Sequence, residues 1–236
     1  MRYEVVPIQV DYTKAQYPVP VAEPVAPKQD DFQPTLTMYL HDDANVLEWS
    51  VVPRKAVVVI PGGGYRYVSE REGEPIASFL FAAGMQVFVL RYSTVPNVFP
   101  AALMELAESM RFVRSHAEEF HINPDKIAVM GFSAGGHLAA NLATMYGEKF
   151  LLDSIGATEE EIKPNAQLLI YPVILSGDFA HRNSFNNLCG TMEELPPVLS
   201  LENHVTENTP PAFMVAAWND PLVPVRNSLV YAEALA

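Results

Sequence analysis

The stretch that most constrains this chain runs from Ile127 to Tyr146. Ile127-Ala128-Val129-Met130 shows no polar alternation, so it reads as a strand buried on both faces, the mark of a parallel sheet. It passes directly into Gly131-Phe132-Ser133-Ala134-Gly135-Gly136 and then into a helical pattern from His137 to Tyr146. The glycines on either side of Ser133 leave room for a strained turn in which the serine takes an unfavourable backbone conformation and exposes its Oγ. A serine hydroxyl is a weak nucleophile. A hydrolase must therefore present it clear of the sheet, beside a base and beside donors for an oxyanion. G-x-S-x-G alone is a moderate signal and could be an ordinary Gly-rich turn; the buried strand before it and the helix after it are the context that strengthens it.

The remaining pattern extends the same architecture. Ala56-Val57-Val58-Val59-Ile60 is a second strand of the two-sided kind, preceded by short β-rich pieces at Leu36–Leu40 and Leu47–Val52. It stops at Pro61-Gly62-Gly63-Gly64-Tyr65, a loop and not a helix start. A helix is expected from about Glu74 to Ala83, closed by Gly84, with a strand at Gln86–Arg91. From Pro100 to about Phe120, Leu103, Leu106, Met110 and Val113 recur at helical spacing. Asn123-Pro124-Asp125 turns the chain. Gln167–Tyr171 and Ala212–Ala216 are two further strands, separated by a long, mostly irregular stretch. Strands alternating with helices give an α/β fold: a mostly parallel sheet with helices on both faces.

A chain of 236 residues, 49% of them hydrophobic, can bury one large core, so a single domain over 1–236 is expected. Residues 1–34 are assigned to an extended N-terminal arm, since Pro18, Pro20, Pro24, Pro27 and Pro34 oppose regular structure there. Residues 174–210 form a cap-like insertion, long enough to cover a site. The net charge of −13 argues against a nucleic-acid surface, which needs clustered Lys and Arg. The apolar runs Ala56–Ile60 and Met85–Leu90 fall far short of the roughly 20 residues that cross a bilayer, so no membrane partner is expected. Met1–Val10 has no apolar signal segment, and cytoplasm is the default location. Cys189, the single cysteine, reads as a small buried hydrophobe and excludes a disulfide framework or multi-cysteine metal site. A homo-oligomer is compatible with the sequence, which does not fix the oligomeric state.

Two further elements complete a reaction centre. The Pro61–Tyr65 loop resembles the H-G-G-G loop of esterases and lipases, with Pro61 in the histidine's place. The oxyanion hole would comprise the N–H groups of Gly63 and Gly64 with that of Ala134. A plain turn and a phosphate-cradling loop are the competing readings, but the latter wants a helix and usually a Lys directly after it. Asp220, in Trp218-Asn219-Asp220-Pro221, follows the strand ending at Ala216. By itself an Asp before Pro is a turn former or helix cap; its place after Ser133 in chain order and after a strand makes it the triad acid.

The sequence resembles the acetyl esterase and feruloyl esterase branch of the α/β-hydrolases, from about residue 35 to the end. The resemblance rests on P-G-G-G-Y at Pro61–Tyr65, R-E-G-E-P at Arg71–Pro75, G-F-S-A-G-G-H at Gly131–His137, T-P-P-A-F at Thr209–Phe213 and N-D-P-L-V-P-V at Asn219–Val225. It implies a serine attacking an ester carbonyl, an oxyanion hole from the first loop, and an aspartate orienting a histidine base. It also implies short acyl groups on sugar-like alcohols as small-molecule substrates, with no cofactor and no metal.

One departure stands out. The family's base histidine lies after the acid, and no histidine follows Asp220. His41, His116, His121, His137, His181 and His204 all precede it. His137 is expected to pack beneath the glycine loop, His116 and His121 to flank a helix end, and His41 to occupy a turn; His204 and His181 lie in irregular sequence. The expectation is that a last strand, the base loop and a closing helix belong to a longer natural product. Without a base the chain would lose on the order of 10⁶ in turnover. The rivals are a prolyl-type serine peptidase and a non-catalytic binding protein on the same fold. Tyr65, Tyr67 and Tyr92 follow strand ends, where they either line the pocket or pack in the core.

Overall fold

In a computed structural model, which describes residues 1–16, 18, 32–42 and 52–236, the apolar run Ala56–Ile60 lies inside β3 (Arg54–Ile60). Its side chains alternate between two cores, as the period of a strand requires. Val57 and Val59 pack on one face with Ala77 and Leu80 of α1 (Glu74–Ala82) and Val87 of β4 (Gln86–Arg91). Val58 and Ile60 point to the other face, toward α2 (Ala101–Ser115) and α3 (Ala134–Met145). Burial on both sides is what removed polar alternation from the sequence.

With β1 (Arg2–Pro7), β2 (Thr35–Leu40), β5 (Ile122–Phe132), β6 (Ala166–Ile170) and β7 (Ala212–Val215), the sheet has the order β1-β2-β4-β3-β5-β6-β7. β3 through β7 run parallel, while β1 and β2 form an antiparallel edge. At the other edge, β7 exposes Phe213 and Val215. Because β3, β5 and β6 are parallel neighbours, the loops after their C-terminal ends meet at one side of the sheet, where α/β proteins build their sites. Among the described residues no helix is long and apolar enough to cross a membrane.

Several details differ from the sequence reading. Arg2–Pro7, placed in the arm, is extended but pairs with β2. Most of the remaining arm and of the expected Leu47–Val52 strand lie outside the described residues. Tyr12–Lys14 is a 3-10 turn whose Tyr12 hydroxyl donates to the buried Glu105 (2.6 Å). The long helix stops at Ser115, not Phe120. Turns then carry the apolar spacing onward, and the His116 ring lies against Phe112 and Phe120. The turn expected at Asn123–Asp125 is a bulge in β5, where Ile122 and Ile127 pair with Arg54 and Ala56. Between β5 and β7 three helices appear that sequence periodicity did not mark: α4 (Lys149–Ile155), α5 (Glu159–Ile162) and α6 (Arg182–Cys189). α7 (Arg226–Ala234) follows Asp220.

Candidate active site

Ser133 sits between β5 and α3 with φ 52° and ψ −117°, a conformation that side chains rarely adopt. The turn is held from both sides: the Ser133 N–H donates to the Ile170 carbonyl (3.0 Å), and the Ser133 carbonyl accepts from the N–H groups of His137 (3.1 Å) and Val173 (3.0 Å). Close packing explains the flanking glycines. A Cβ on Gly131 would lie 2.1 Å from the Gly135 carbonyl oxygen, and one on Gly135 would lie 2.2 Å from that of Ile60. The strained serine is therefore over-determined by its surroundings.

The glycine loop from β3 crosses directly above. Gly62 is squeezed between the serine turn and Glu72: a Cβ there would meet the Phe132 carbonyl oxygen at 2.7 Å, Glu72 Oε2 at 2.9 Å and Ser133 Cβ at 3.0 Å. Gly63 and Gly64 have φ of 126° and 64°. Among the described residues no protein acceptor takes the N–H of Gly63, Gly64 or Ala134. Bonds to its surroundings fix the loop's shape. The Tyr92 hydroxyl donates to the Pro61 carbonyl (2.7 Å), Gly62 N–H to Glu72 Oε2 (2.8 Å) and Ser69 N–H to the Gly62 carbonyl (3.0 Å). Asn187 Nδ2 donates to the Gly64 carbonyl (2.8 Å), Val95 N–H to that of Tyr65 (3.0 Å), and the Tyr65 hydroxyl meets His137 Nδ1 (2.9 Å).

Ser133, Gly63, Gly64 and Asp220 line one cavity of about 750 Å³. Ala134 is buried behind Ser133 and is not part of the wall. Tyr67 lines the cavity, whereas Tyr65 and Tyr92 are buried supports of the loop. The segment between β6 and β7 supplies His181, Asn183, Asn186, Asn187 and Thr191. Asp220 Oδ1 accepts from the N–H groups of Leu222 (2.8 Å) and Val223 (2.9 Å), so one oxygen shapes its own turn. Sequence reasoning passed over Glu72 and Tyr171, which also line the cavity. The R-E-G-E-P motif, close after the loop, was the available signal for Glu72.

The histidines divide clearly. His137 is fully buried, and its Nε2–H donates to the Leu199 carbonyl (3.0 Å), which fixes Nδ1 as the acceptor for Tyr65. Burial lowers its pKa to about 4, so it is a neutral bracket between the glycine loop and the 3-10 turn at Pro197–Leu199. This is the packing role expected for it. His41 Nε2 bonds the Phe81 carbonyl (2.9 Å), His121 turns the chain at φ 52°, and the Nε2 of His204 is buried without a partner among the described residues. Only His181 lines the cavity; burial lowers its pKa while the Asp220 charge opposes that shift. Its Nδ1 is engaged with Ser184 Oγ (2.8 Å). No histidine side chain among the described residues hydrogen-bonds the side chain of Ser133 or Asp220.

A parallel sheet whose β5 ends in a left-handed serine turn, roofed by a glycine loop from its neighbour β3, defines an α/β-hydrolase. The chain belongs to the BD-FAE family, whose model matches residues 48–235. It is 37% identical over 217 residues to endo-1,4-beta-xylanase B of Butyrivibrio fibrisolvens, covering 86% of this chain and 32% of that protein. It is 32% identical over 211 residues to an acetylxylan esterase of Xylanibacter ruminicola, covering 84% and 42%. The chain thus spans less than half the length of either relative. A crystal structure of an acetyl ester-xyloside bifunctional hydrolase from Caldicellulosiruptor lactoaceticus superposes with a TM-score of 0.78 at 34% identity, over 98% of this chain and 80% of that one. The family expected from the sequence motifs is the family found.

Proposed function

We propose that the protein is a serine carboxylic-ester hydrolase acting on short acyl esters of carbohydrate-like alcohols. The observation that carries this reading is Ser133, held at positive φ in one cavity with Gly63, Gly64 and Asp220. In the reaction Ser133 Oγ attacks the ester carbonyl carbon while its proton passes to a histidine oriented by Asp220. The N–H groups of Gly63, Gly64 and Ala134 hold the oxyanion. The alcohol departs with that proton, and water then cleaves the acyl-enzyme. Two relatives named for acetyl esters and the polar wall of Asn183, Asn186, Asn187 and Thr191 support a hydroxylated alcohol. Residues 174–210 cap the site.

The base is the incomplete part of the centre. With no imidazole bonded to the side chain of Ser133 or Asp220 among the described residues, residues 1–236 by themselves should turn over on the order of 10⁶-fold more slowly than a protein with an assembled triad. The same observation supports a second reading, a protein that binds esters without cleaving them. Hydrolysis of p-nitrophenyl acetate by the full-length natural protein, lost in Ser133→Ala, separates the two. A fully active Ser133→Ala protein contradicts the ester-hydrolase reading. A full-length protein that binds acetylated sugars without turnover supports the second.

A further inference from the structure

Among the described residues, Glu72 is the one cavity-lining carboxylate that the proposed chemistry does not use. It belongs to a 3-10 turn, Glu70–Glu72, between the glycine loop and α1. Its two oxygens reach opposite walls of the site. Oε2 accepts the Gly62 N–H at 2.8 Å, and Oε1 accepts the Tyr171 hydroxyl at 3.0 Å. Tyr171 directly follows Ile170, whose carbonyl accepts the Ser133 N–H. Tyr171 itself is held at φ 39° and donates its N–H to the Val215 carbonyl (2.6 Å). The Glu72 side chain is thus the strut joining the loop after β3 to Tyr171, the neighbour of the Ile170 carbonyl that anchors the serine turn.

The joint has little slack. Gly62 lies so close to the serine turn on one side and to Glu72 on the other that not even a methyl group fits. Gly63 and Gly64 follow at once, with positive φ and with N–H groups unpaired among the described residues, so the direction of those N–H groups depends on where Gly62 is held. A hydrogen bond to an ionised carboxylate is about twice as strong as a neutral one, which suits a strut that must not yield. Preorganised donors are effective because they need not reorient when charge develops.

We propose that Glu72 is a positioning residue that sets the Gly63 and Gly64 N–H groups against Ser133 Oγ by tying Gly62 to Tyr171. It contributes to kcat through the oxyanion site and not to ground-state binding. The assignment rests on the ester-hydrolase reading above.

The test is kcat and KM for p-nitrophenyl acetate with the full-length protein and its Glu72→Ala, Glu72→Gln and Tyr171→Phe variants, each checked for folding by circular dichroism. Glu72→Ala should lose on the order of 10²-fold in kcat, with KM within about threefold. Glu72→Gln should stay within about tenfold of the parent kcat, because its amide oxygen can accept from Gly62 while its NH₂ donates to the Tyr171 oxygen. Tyr171→Phe, which cuts only one end of the strut, should fall between Glu72→Ala and the parent. A Glu72→Ala protein with unchanged kcat, or with KM alone raised, overturns the assignment, and so does a Glu72→Gln protein as slow as Glu72→Ala. Should Glu72→Ala fail to fold, Tyr171→Phe decides: a parental kcat overturns the proposal and a reduced kcat at unchanged KM supports it. A full-length protein without Ser133-dependent turnover removes the ester-hydrolase reading itself, and this assignment with it.

Discussion

His137 gives the protein an acid sensitivity that can be isolated by one substitution. The ring is fully buried, donating through Nε2 to Leu199 and accepting at Nδ1 from Tyr65, with burial lowering its pKa from 6.5 to about 4. The unfolded chain takes up this proton as the pH drops below 6.5, whereas the folded protein refuses it until about 4. Its contribution to stability is therefore fully present above pH 6.5 and is lost as the pH falls toward 4. Holding a group neutral over that range corresponds to about 3 kcal/mol. His137→Gln can keep both contacts, with the amide NH₂ donating to Leu199 and the amide oxygen accepting from Tyr65, but it has no proton to gain. Urea unfolding of both proteins at pH 7 and pH 4 measures the difference. Every other titrating group is common to the pair, so the stability of wild type relative to His137→Gln should decline by about 3 kcal/mol between the two pH values. Parallel pH profiles would mean that His137 protonates in the folded protein as readily as in the unfolded chain.

Burial acts with the opposite sign at Glu105, raising its pKa from 4.5 to about 7 while the Ser93 N–H and Tyr12 hydroxyl donate to it. The folded protein favours the neutral acid, so this contribution is complete below pH 4.5 and is lost as the pH rises through 7; Tyr12→Phe, which removes a donor to the carboxylate, should destabilise by about 1–3 kcal/mol at pH 8 and by less at pH 5 in urea titrations. Gly131→Ala should cost about 3 kcal/mol or more, since its Cβ would meet backbone of Gly135 and Gly136, whereas Gly177→Ala, with nothing within 4 Å, should be nearly neutral by the same assay. Asp220→Asn retains an oxygen for the Leu222 and Val223 N–H groups, so the melting temperature should hold while kcat of the full-length protein drops by about 10⁴. In a series of p-nitrophenyl esters, specificity constants should fall steeply beyond butyrate; a maximum at eight carbons or longer would contradict the polar pocket.

The serine turn is legible in the sequence because local chemistry and tertiary packing ask for the same residues there. Gly131 and Gly135 are required because a Cβ on either would come within 2.1 or 2.2 Å of a backbone carbonyl oxygen, and β5 loses its polar alternation because both its faces are covered. Elsewhere the determinants act through space. β1 has the alternating exposure of an edge strand, and its place comes from pairing with β2, which no local pattern encodes. α6 reads Arg-Asn-Ser-Phe-Asn-Asn-Leu-Cys, weak helix formers for the most part, and is anchored by burying Phe185, Leu188 and Cys189 at helical spacing. Its Asn183, Asn186 and Asn187 then face the cavity. Glu72 could be seen only as part of a motif, because its meaning lies in contacts to residues 10 and 99 positions away. His137 was easier: beside two glycines at the start of α3, it had little room for anything but packing.

Covalent trapping reads whether Ser133 is the nucleophile of an ester hydrolase. The full-length protein would be treated with a fluorophosphonate and digested, and the modified peptide mapped by mass spectrometry. A single adduct on Ser133 is expected, formed in step with loss of p-nitrophenyl acetate hydrolysis and absent from Ser133→Ala. Hydrolysis lost through an adduct on another residue, or persisting after Ser133 is fully labelled, would mean that Ser133 is not the nucleophile.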